Sequence, residues 1–455
     1  MRVKFSCLIV LLTIFPVAAF GQQETRPSPN LANWIDGYVS VLFNVMPDID
    51  KAGGHQTVAE LRTSILIERR QDISHWLHLN MGAYIDSFVA NRNVAGNATA
   101  TAAAIIRPSD LYAEFRTARA DVRVGASRIV WGRLDEFQPS DVVNPLDISR
   151  FFLEGRSEAR LPVMLVRGRV YLPRNFTVEG IVVPMFRPGR FDQLEEETSP
   201  FFLGAPKETI CLAGTGSCAH FNTIREEPKT SWNQLQGGGR VTGTVGRIDL
   251  SASVYRGFKT LPIFTLKPLP AFEATGQTFL LYETFPRFTM IAGDFETVRG
   301  QWGIRGEVAY FPEDTLQSFT VLNSIPGRSL SGGVGIDRRV GNYHFSSNLM
   351  IAWSRINQSQ WERTPALFDP AIETTDVLFV SSIERTFARE TRTLRFLSAY
   401  NPKAESAFVR GVGSIRVRDN VWLEISGGWL LGNGLDMLSR FSQHDFLYSR
   451  LKFYF

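Results

Sequence analysis

Cysteine is scarce in this chain of 455 residues, and lysine nearly so. Three cysteines, Cys7, Cys211 and Cys218, cannot build a disulfide-dense scaffold or a thiolate metal cluster. Eight lysines stand beside 41 arginines, with no Lys/Arg block of the kind that grips phosphates along a nucleic acid. The six histidines (His55, His75, His78, His220, His344 and His444) are scattered, and none sits beside a nucleophile and a carboxylate in a catalytic register. No H-E-x-x-H, P-loop or G-x-S-x-G occurs, and Gly237-Gly238-Gly239 opens a strand instead of following one, so no enzyme, cofactor or metal is expected. Beyond the leading residues no apolar run is long enough for a membrane helix. No linker or low-complexity stretch divides the chain into domains.

What is present begins with an export signature. Arg2 and Lys4 precede an apolar run from Leu8 to Val17, then Ala18-Ala19-Phe20-Gly21 and the polar Gln22-Gln23-Glu24. A charged start, an apolar stretch too short to span a bilayer and small residues at the cleavage position read as a signal peptide over 1–21. Residues 22–33 are then a periplasmic N-terminal segment, and 34–455 the folded body. Removing 1–21 takes away two positive charges and no negative one, so the formal charge falls from +4 to +2. In an oxidising compartment Cys211 and Cys218 are expected to close a small disulfide loop, ahead of two free thiols or a metal site with His220.

The folded body is written in period two. Back from Phe455, the residues Phe453, Leu451, Ser449 and Leu447 are apolar or small, while Tyr454, Lys452, Arg450 and Tyr448 are amphipathic or charged. Such a strand suits a wall between lipid and water, and it resembles the terminal strand by which outer-membrane barrels are recognised for assembly. Asn420–Leu431, Asn342–Ser354 and Gly303–Phe311 alternate in the same way. Strands are expected near 34–44, 58–70, 75–89, 109–118, 120–130, 160–172, 176–186, 235–245 and 247–257. The series continues at 287–296, 302–311, 330–339, 342–354, 376–388, 391–401, 405–418, 420–431 and 445–455. Turn residues mark tight joints at Gln71-Asp72, Pro173-Arg174-Asn175, Gly246, Gly341-Asn342 and Asp419-Asn420. With a periplasmic N-terminus, every tight joint falls on one side and nearly every long loop on the other. The expected fold is an all-β transmembrane, antiparallel up-and-down barrel of about 18 strands, 16 if two weak ones fail, with aromatic girdles from Tyr38, Phe43, Trp76, Phe88, Trp302, Tyr310, Trp353, Trp429 and Phe446. A near-zero mean hydropathy of −0.06 fits strands that are each half polar. The setting would be the outer membrane of a Gram-negative bacterium, with outer-membrane lipid, lipopolysaccharide and the barrel-assembly machinery as partners.

Projected inward, the strands give a lumen of both signs. Its expected pore wall includes Arg305, Glu307, Arg395, Arg410, Arg416, Glu424, Arg450 and Lys452, with Arg62, Arg116, Arg418, Glu60, Asp86, Glu114 and Asp249 alongside. Arg410, Arg416, Arg450 and Lys452 lie near the barrel seam. They read either as a positive wall favouring anions or as part of a paired charge ladder. Between the fifth and sixth strands lies a segment too apolar to be freely solvated and too charged for lipid. Trp131, Arg133, Asp135, Asp141, Asn144, Asp147 and Arg150 are its candidate residues, and Asp147 is placed to cap a short helix over 148–154. This segment, 131–159, is expected to fold into the barrel and narrow it.

Trp131-Gly132, the turn Asn144-Pro145-Leu146-Asp147 and Leu161-Pro162-Val163 entering the next strand resemble one family of Gram-negative outer-membrane proteins. That resemblance covers about residues 120–190. It implies a barrel of unsettled function, some members being thought to work beside an inner-membrane export pump for lipids or other hydrophobic molecules. In size the barrel is also similar to alginate-export porins, without a residue-level match. The reading is a channel or transport barrel for small polar or amphipathic, anionic or lipid-like solutes. The alternatives are a closed barrel acting as a surface-binding or structural protein through its long loops, chiefly 187–231 with Glu195-Glu196-Glu197, and a secreted carbohydrate-binding β protein.

Overall fold

The computed structural model describes residues 35–51, 54–94, 97–190, 210–211, 218–268, 277–318, 323–357, 373–434, 436–442 and 444–455. The expected signal peptide over 1–21, the segment 22–33 and Glu195-Glu196-Glu197 lie outside these residues.

Side chains alternating between two environments force extended chain, because only a strand sends successive residues to opposite faces. The wall begins with β1 (Asp36–Lys51), β2 (Gly54–Asp72) and β3 (Leu77–Val94), followed by β4 (Asn97–Pro108) and β5 (Leu111–Arg116). Both of the last two pair with β3, Ala83 opposite Pro108 and Leu77 opposite Phe115, so they are halves of one wall strand broken at Ser109-Asp110. Next come β6 (Ala120–Ser127), β7 (Val163–Leu172) and β8 (Phe176–Val183), then the short β9 (Ile210–Cys211) and β10 (Cys218–Glu226). The wall resumes with β11 (Gln236–Val245) and β12 (Ile248–Phe258), interrupted by β13 (Ile263–Pro268) and β14 (Gln277–Thr284). It continues through β15 (Arg287–Arg299), β16 (Trp302–Ser318), β17 (Asn323–Val340), β18 (Tyr343–Ile356) and β19 (Glu373–Phe387). It ends with β20 (Arg392–Asn401), β21 (Ser406–Arg418), β22 (Val421–Leu431) and β23 (Phe446–Tyr454).

Neighbouring wall strands are antiparallel, and β1 closes on β23 with Tyr38 opposite Tyr454 and Val45 opposite Leu447. The sheet of 19 strands, with β4 and β5 counted as one, is a closed barrel of 18 wall strands. Tight joints cluster at the end where β1 starts and β23 finishes. They use left-handed positions at Arg174 and Asn175 (φ 62° and 61°) and at Gly246, Gly300 and Gly341 (φ 66°, 62° and 57°). The outer face is apolar: Val41, Phe43, Leu61, Val254, Ile291, Val334, Ile351, Leu451 and Phe453 are all exposed on it. On β23 the buried, inward set is Phe446, Tyr448 and Lys452, alternating with exposed Leu447, Ser449, Leu451 and Phe453.

Three expectations need correction. Tyr38, Phe88 and Phe446 do not join an outer girdle; each is buried on the inner face, while Phe43, Trp76, Trp302 and Trp429 are exposed. Residues 97–108, read as loop, form β4, whose Ala/Thr pattern offers too little contrast between faces to announce a strand. Segments read as loops after β8 and β12 build a second, four-stranded sheet in which β10 and β14 run parallel. Within it Cys211 lies directly opposite Cys218, although the side chains of both are outside the described residues. The sheet is tied to the rim by Gln317, whose side chain bonds Phe264 N–H at 2.6 Å and its carbonyl at 3.0 Å, and by Thr265 to Ser324 at 3.1 Å.

Because the outer face meets lipid and the inner face does not, a cation should be tolerated on one side alone. Val334→Arg, on the outer face in the middle of β17, should lower stability by roughly 2–4 kcal/mol in urea titrations of the lipid-embedded barrel. Lys452, on an inner face, shows that a native cation there is accommodated; an unchanged midpoint for Val334→Arg would contradict the assigned faces.

Candidate functional site: a loop across the lumen

Between β6 and β7 the chain turns inward instead of out. Asn144 fixes the root of this loop. Its Oδ1 accepts from Ile129 N–H at 2.6 Å, and its Nδ2 donates to the carbonyls of Leu161 at 2.8 Å and Ser127 at 3.3 Å. Pro145 then accepts from Leu161 N–H at 2.8 Å, and Asp147 caps α1 (Ile148–Leu153), taking bonds from Arg150 N–H and the Ser149 hydroxyl. A second turn, α2 (Arg156–Ala159), returns the chain toward β7. Asp147 also accepts from Arg190 Nε at 2.9 Å. Burial pushes the Asp147 carboxyl up, but the guanidiniums of Arg190 and Arg150 outweigh it and hold it below the ordinary carboxylate range.

From that root the loop reaches strands around most of the circumference. Arg133 bridges Asp294 at 2.6 Å and Glu296 at 2.7 Å on β15. Asp135 takes Arg305 of β16 at 2.7 Å, with Ser346 and Asn348 of β18 on its other oxygen. Glu136 meets Arg395 of β20 at 3.2 Å, and Glu154 meets Arg450 of β23 at 2.7 Å. Arg150 reaches Asp86 of β3 at 3.0 Å. Glu307 of β16 is the densest anchor: Oε2 accepts from the N–H groups of Arg133 (2.9 Å) and Leu134 (3.3 Å), Oε1 from the N–H and hydroxyl of Ser140 (both 2.7 Å). Gly132, at φ 94°, lets the backbone approach that carboxylate; a Cβ there would stand 2.7 Å from both oxygens. Trp131 is buried against Tyr255, its indole N–H donating to Glu179 at 2.8 Å.

Two apolar clusters flank the crossing. One joins Ile148, Phe152 and Leu153 to Leu42, Met46, Phe408 and Phe446 of the wall, to Leu438 and Phe441 of a short helix α3 (Met437–Arg440) and its cap, and to Phe264 and Leu281 of the second sheet. The other packs Ile129, Trp131 and Val143 against Leu165, Ile181, Tyr255, Phe288 and Met290. A polar and an apolar space lie beside the loop. A polar chamber of about 770 Å³ touches Arg133, Asp135, Glu136, Arg160, Arg240, Glu296, Arg305, Glu384 and Arg395. An apolar pocket of about 330 Å³ is lined by Phe137, Phe151, Phe152, Met350, Leu378 and Leu438, with Asp376 and Asp436 beside them. Gln138 and Arg156 line both. This partition is a small network: Asp141 holds Arg156 at 3.0 Å and Arg160 at 2.8 Å, Arg160 holds Gln138 at 2.7 Å, and Arg156 donates to the Glu136 carbonyl at 3.1 Å.

The seam cations do not make a free positive wall along this chamber. Arg410 bonds Ser426 and Tyr448, at 3.1 and 2.8 Å. Arg416 stacks over Trp422 and Lys452 over Tyr38. Arg450 sits between Glu154 and Glu424, and none of the four is among the chamber's lining residues. Sequence reasoning did not single out Asp294, Glu296, Arg190 or Gln138. The acids on β15 carry a period-two signal, but nothing in the chain says that they face Arg133.

A closed antiparallel barrel with an apolar outer face and an inner loop across its lumen is a β-barrel of the outer-membrane type. The chain belongs to the family described as a protein of unknown function, DUF1302, which it matches over residues 83–347, more than half its length. No curated protein sequence matches it. Among solved structures it is similar to OccK7 (OpdD) of Pseudomonas aeruginosa, at 9% identity over 93% of this chain and 98% of that one, with a TM-score of 0.49. Similarity extends to a BenF-like porin from Pseudomonas fluorescens Pf-5 (11% identity, 93% and 97% coverage, TM-score 0.45) and to OccAB4 of Acinetobacter baumannii (10%, 92% and 97%, 0.46).

Glu307→Ala removes the acceptor of four bonds at the loop's far reach. Amide exchange at Leu134 and Ser140 should accelerate by about 100-fold, equivalent to ~3 kcal/mol of local stability. Exchange unchanged at both amides would mean that the loop is held elsewhere.

Proposed function

We propose that this barrel is an outer-membrane channel for small polar or amphipathic solutes, which pass the 131–159 loop at the Gln138/Arg156 partition. One observation carries the reading: a polar chamber and an apolar pocket, both inside the wall, meet at the same two side chains. A solute with a polar and an apolar part finds a matching surface on each side of the partition. The loop is long enough to close the lumen, yet its contacts leave these spaces open, and the partition consists of side chains that can rotate without breaking the wall ladder. The two apolar clusters favour a second reading, a closed barrel that binds through its outer loops.

Recordings in planar bilayers, on protein whose gel mobility changes on boiling, separate the two. The wild type should show discrete conductance steps, and Arg156→Ala, which opens the partition, should enlarge them about twofold or more. Folded protein that stays silent both as wild type and as Arg156→Ala would reject the channel and leave the closed barrel.

A further inference from the structure

A niche of about 300 Å³ opens off the chamber against β7, β8 and β11, sharing Val130, Arg240 and Thr242 with it. Four guanidiniums line it, from Arg128, Arg167, Arg169 and Arg240. Strand alternation puts Arg167 and Arg169 on the inner face of β7 together, with Tyr171 next in the row.

The charge here is not balanced. Arg116, Arg123, Arg167 and Arg169 share two carboxylates, Glu114 and Asp121. Glu114 is paired with Arg116 and with Arg123 (2.6 Å), and Arg167 stands 3.8 Å away. Asp121 takes Arg167 and Arg169, both at 3.0 Å, and the Tyr171 hydroxyl as well. Arg128 is matched by Asp110 at 3.1 Å. Arg240 and Arg133 are matched by Asp294 and Glu296. Adding Glu179, the acid that lines the niche itself, still leaves four cations against three anions, and one Glu179 oxygen is already taken by Trp131. The pairing carboxylates lie behind the arginines, with Asp121 wholly buried, so the space meets mainly guanidinium. Arg167 is itself buried, and its Nε has no acceptor among the described residues.

We propose that this niche binds an anionic group with several acceptor oxygens, of the phosphate or sulfate class. Guanidinium forks suit such oxygens in pairs, and an excess of one charge in a walled recess concentrates the opposite ion. The inference deepens the channel reading and rests on it for one point only, that the group would be the head of a solute entering the chamber. The anion-binding surface thus falls on β7 and β11, not at the seam.

The test is calorimetric titration of the full-length barrel in nanodiscs of zwitterionic lipid, with empty nanodiscs as baseline and ionic strength matched with potassium chloride. The probes are inorganic phosphate and hexyl phosphate. A single saturable site is expected, weakened by about tenfold or more in Arg169→Gln and in Thr242→Glu. The second variant keeps every arginine and every ion pair while setting a tethered carboxylate in the niche, so its loss of binding, with heat-modifiable gel mobility retained, is not a folding defect. Equal affinity for the two probes supports a free anion as ligand; tighter hexyl phosphate supports a headgroup on an apolar chain. No saturable heat from either, or unchanged affinity in folded Thr242→Glu, overturns the proposal. Since the readout is binding and not current, phosphate binding by a barrel that never conducts would reject the channel and keep the site.

Discussion

Arginine–carboxylate pairing across the lumen is the interaction on which the interior depends. The loop after β6 carries both signs, and five of its charges meet their opposites on the wall: Arg133 on β15, Asp135 on β16, Glu136 on β20, Arg150 on β3 and Glu154 on β23. Charges taken out of bulk water are costly unless paired and hydrogen-bonded. A loop held this way is fixed in position by the penalty for leaving any one of them alone. The apolar clusters then fill what the ion pairs have placed, rather than deciding where the loop lies.

The wall obeys a different constraint. In lipid every backbone N–H and carbonyl must find a partner within the protein, so the chain must be a helix or a closed sheet, and the sheet closes through β1 and β23. Closure fixes which way each residue points, and the inner face inherits whatever polar residues the alternation sends there. The break at Ser109-Asp110 shows the wall yielding to the interior. Asp110 leaves the ladder and takes Arg128, whose main-chain N–H it also accepts, just where the chain leaves β6 to enter the lumen. Among the described residues β4, above that break, pairs on one side only, beside the short strands from which the loop departs.

Much of this was legible because a barrel writes itself in period two. Each of the 18 wall strands has a counterpart in the alternation, since residues such as Leu451 and Lys452 are sorted by the medium they touch and not by distant partners. The β4 half of the fourth was missed, however, and β2 runs through the expected joint at Gln71-Asp72. Asn144 and Asp147 were legible for a local reason too, as residues that satisfy nearby backbone. What stayed hidden depends on long-range choice. Arg410 and Arg169 look alike in sequence, both inward on strands, yet one ends between Ser426 and Tyr448 and the other beside a shared carboxylate at a cavity. The strand β4 was hidden because alanine and threonine hardly differ in their fitness for either face.

The excess of arginine over lysine gains a physical reason from the same geometry. Arg133 spans Asp294 and Glu296, Arg305 spans Asp135 and Asp337, and Arg450 spans Glu154 and Glu424. Each uses separate nitrogens of one planar fork to join two acids. In the case of Arg305 and Arg450, those acids lie on different segments of the chain. A lysine ammonium is a compact point charge that would have to be solvated on its remaining side, whereas a guanidinium keeps its charge when partly dehydrated and directs five donors. Where one carboxylate must serve two arginines, as Asp121 and Asp141 do, the forks share its oxygens. Asp141 thereby fixes Arg156 and Arg160 beside the chamber, and Asp121 fixes Arg167 and Arg169 beside the niche. A lumen stiffened by arginine therefore holds guanidiniums at fixed positions along its open spaces.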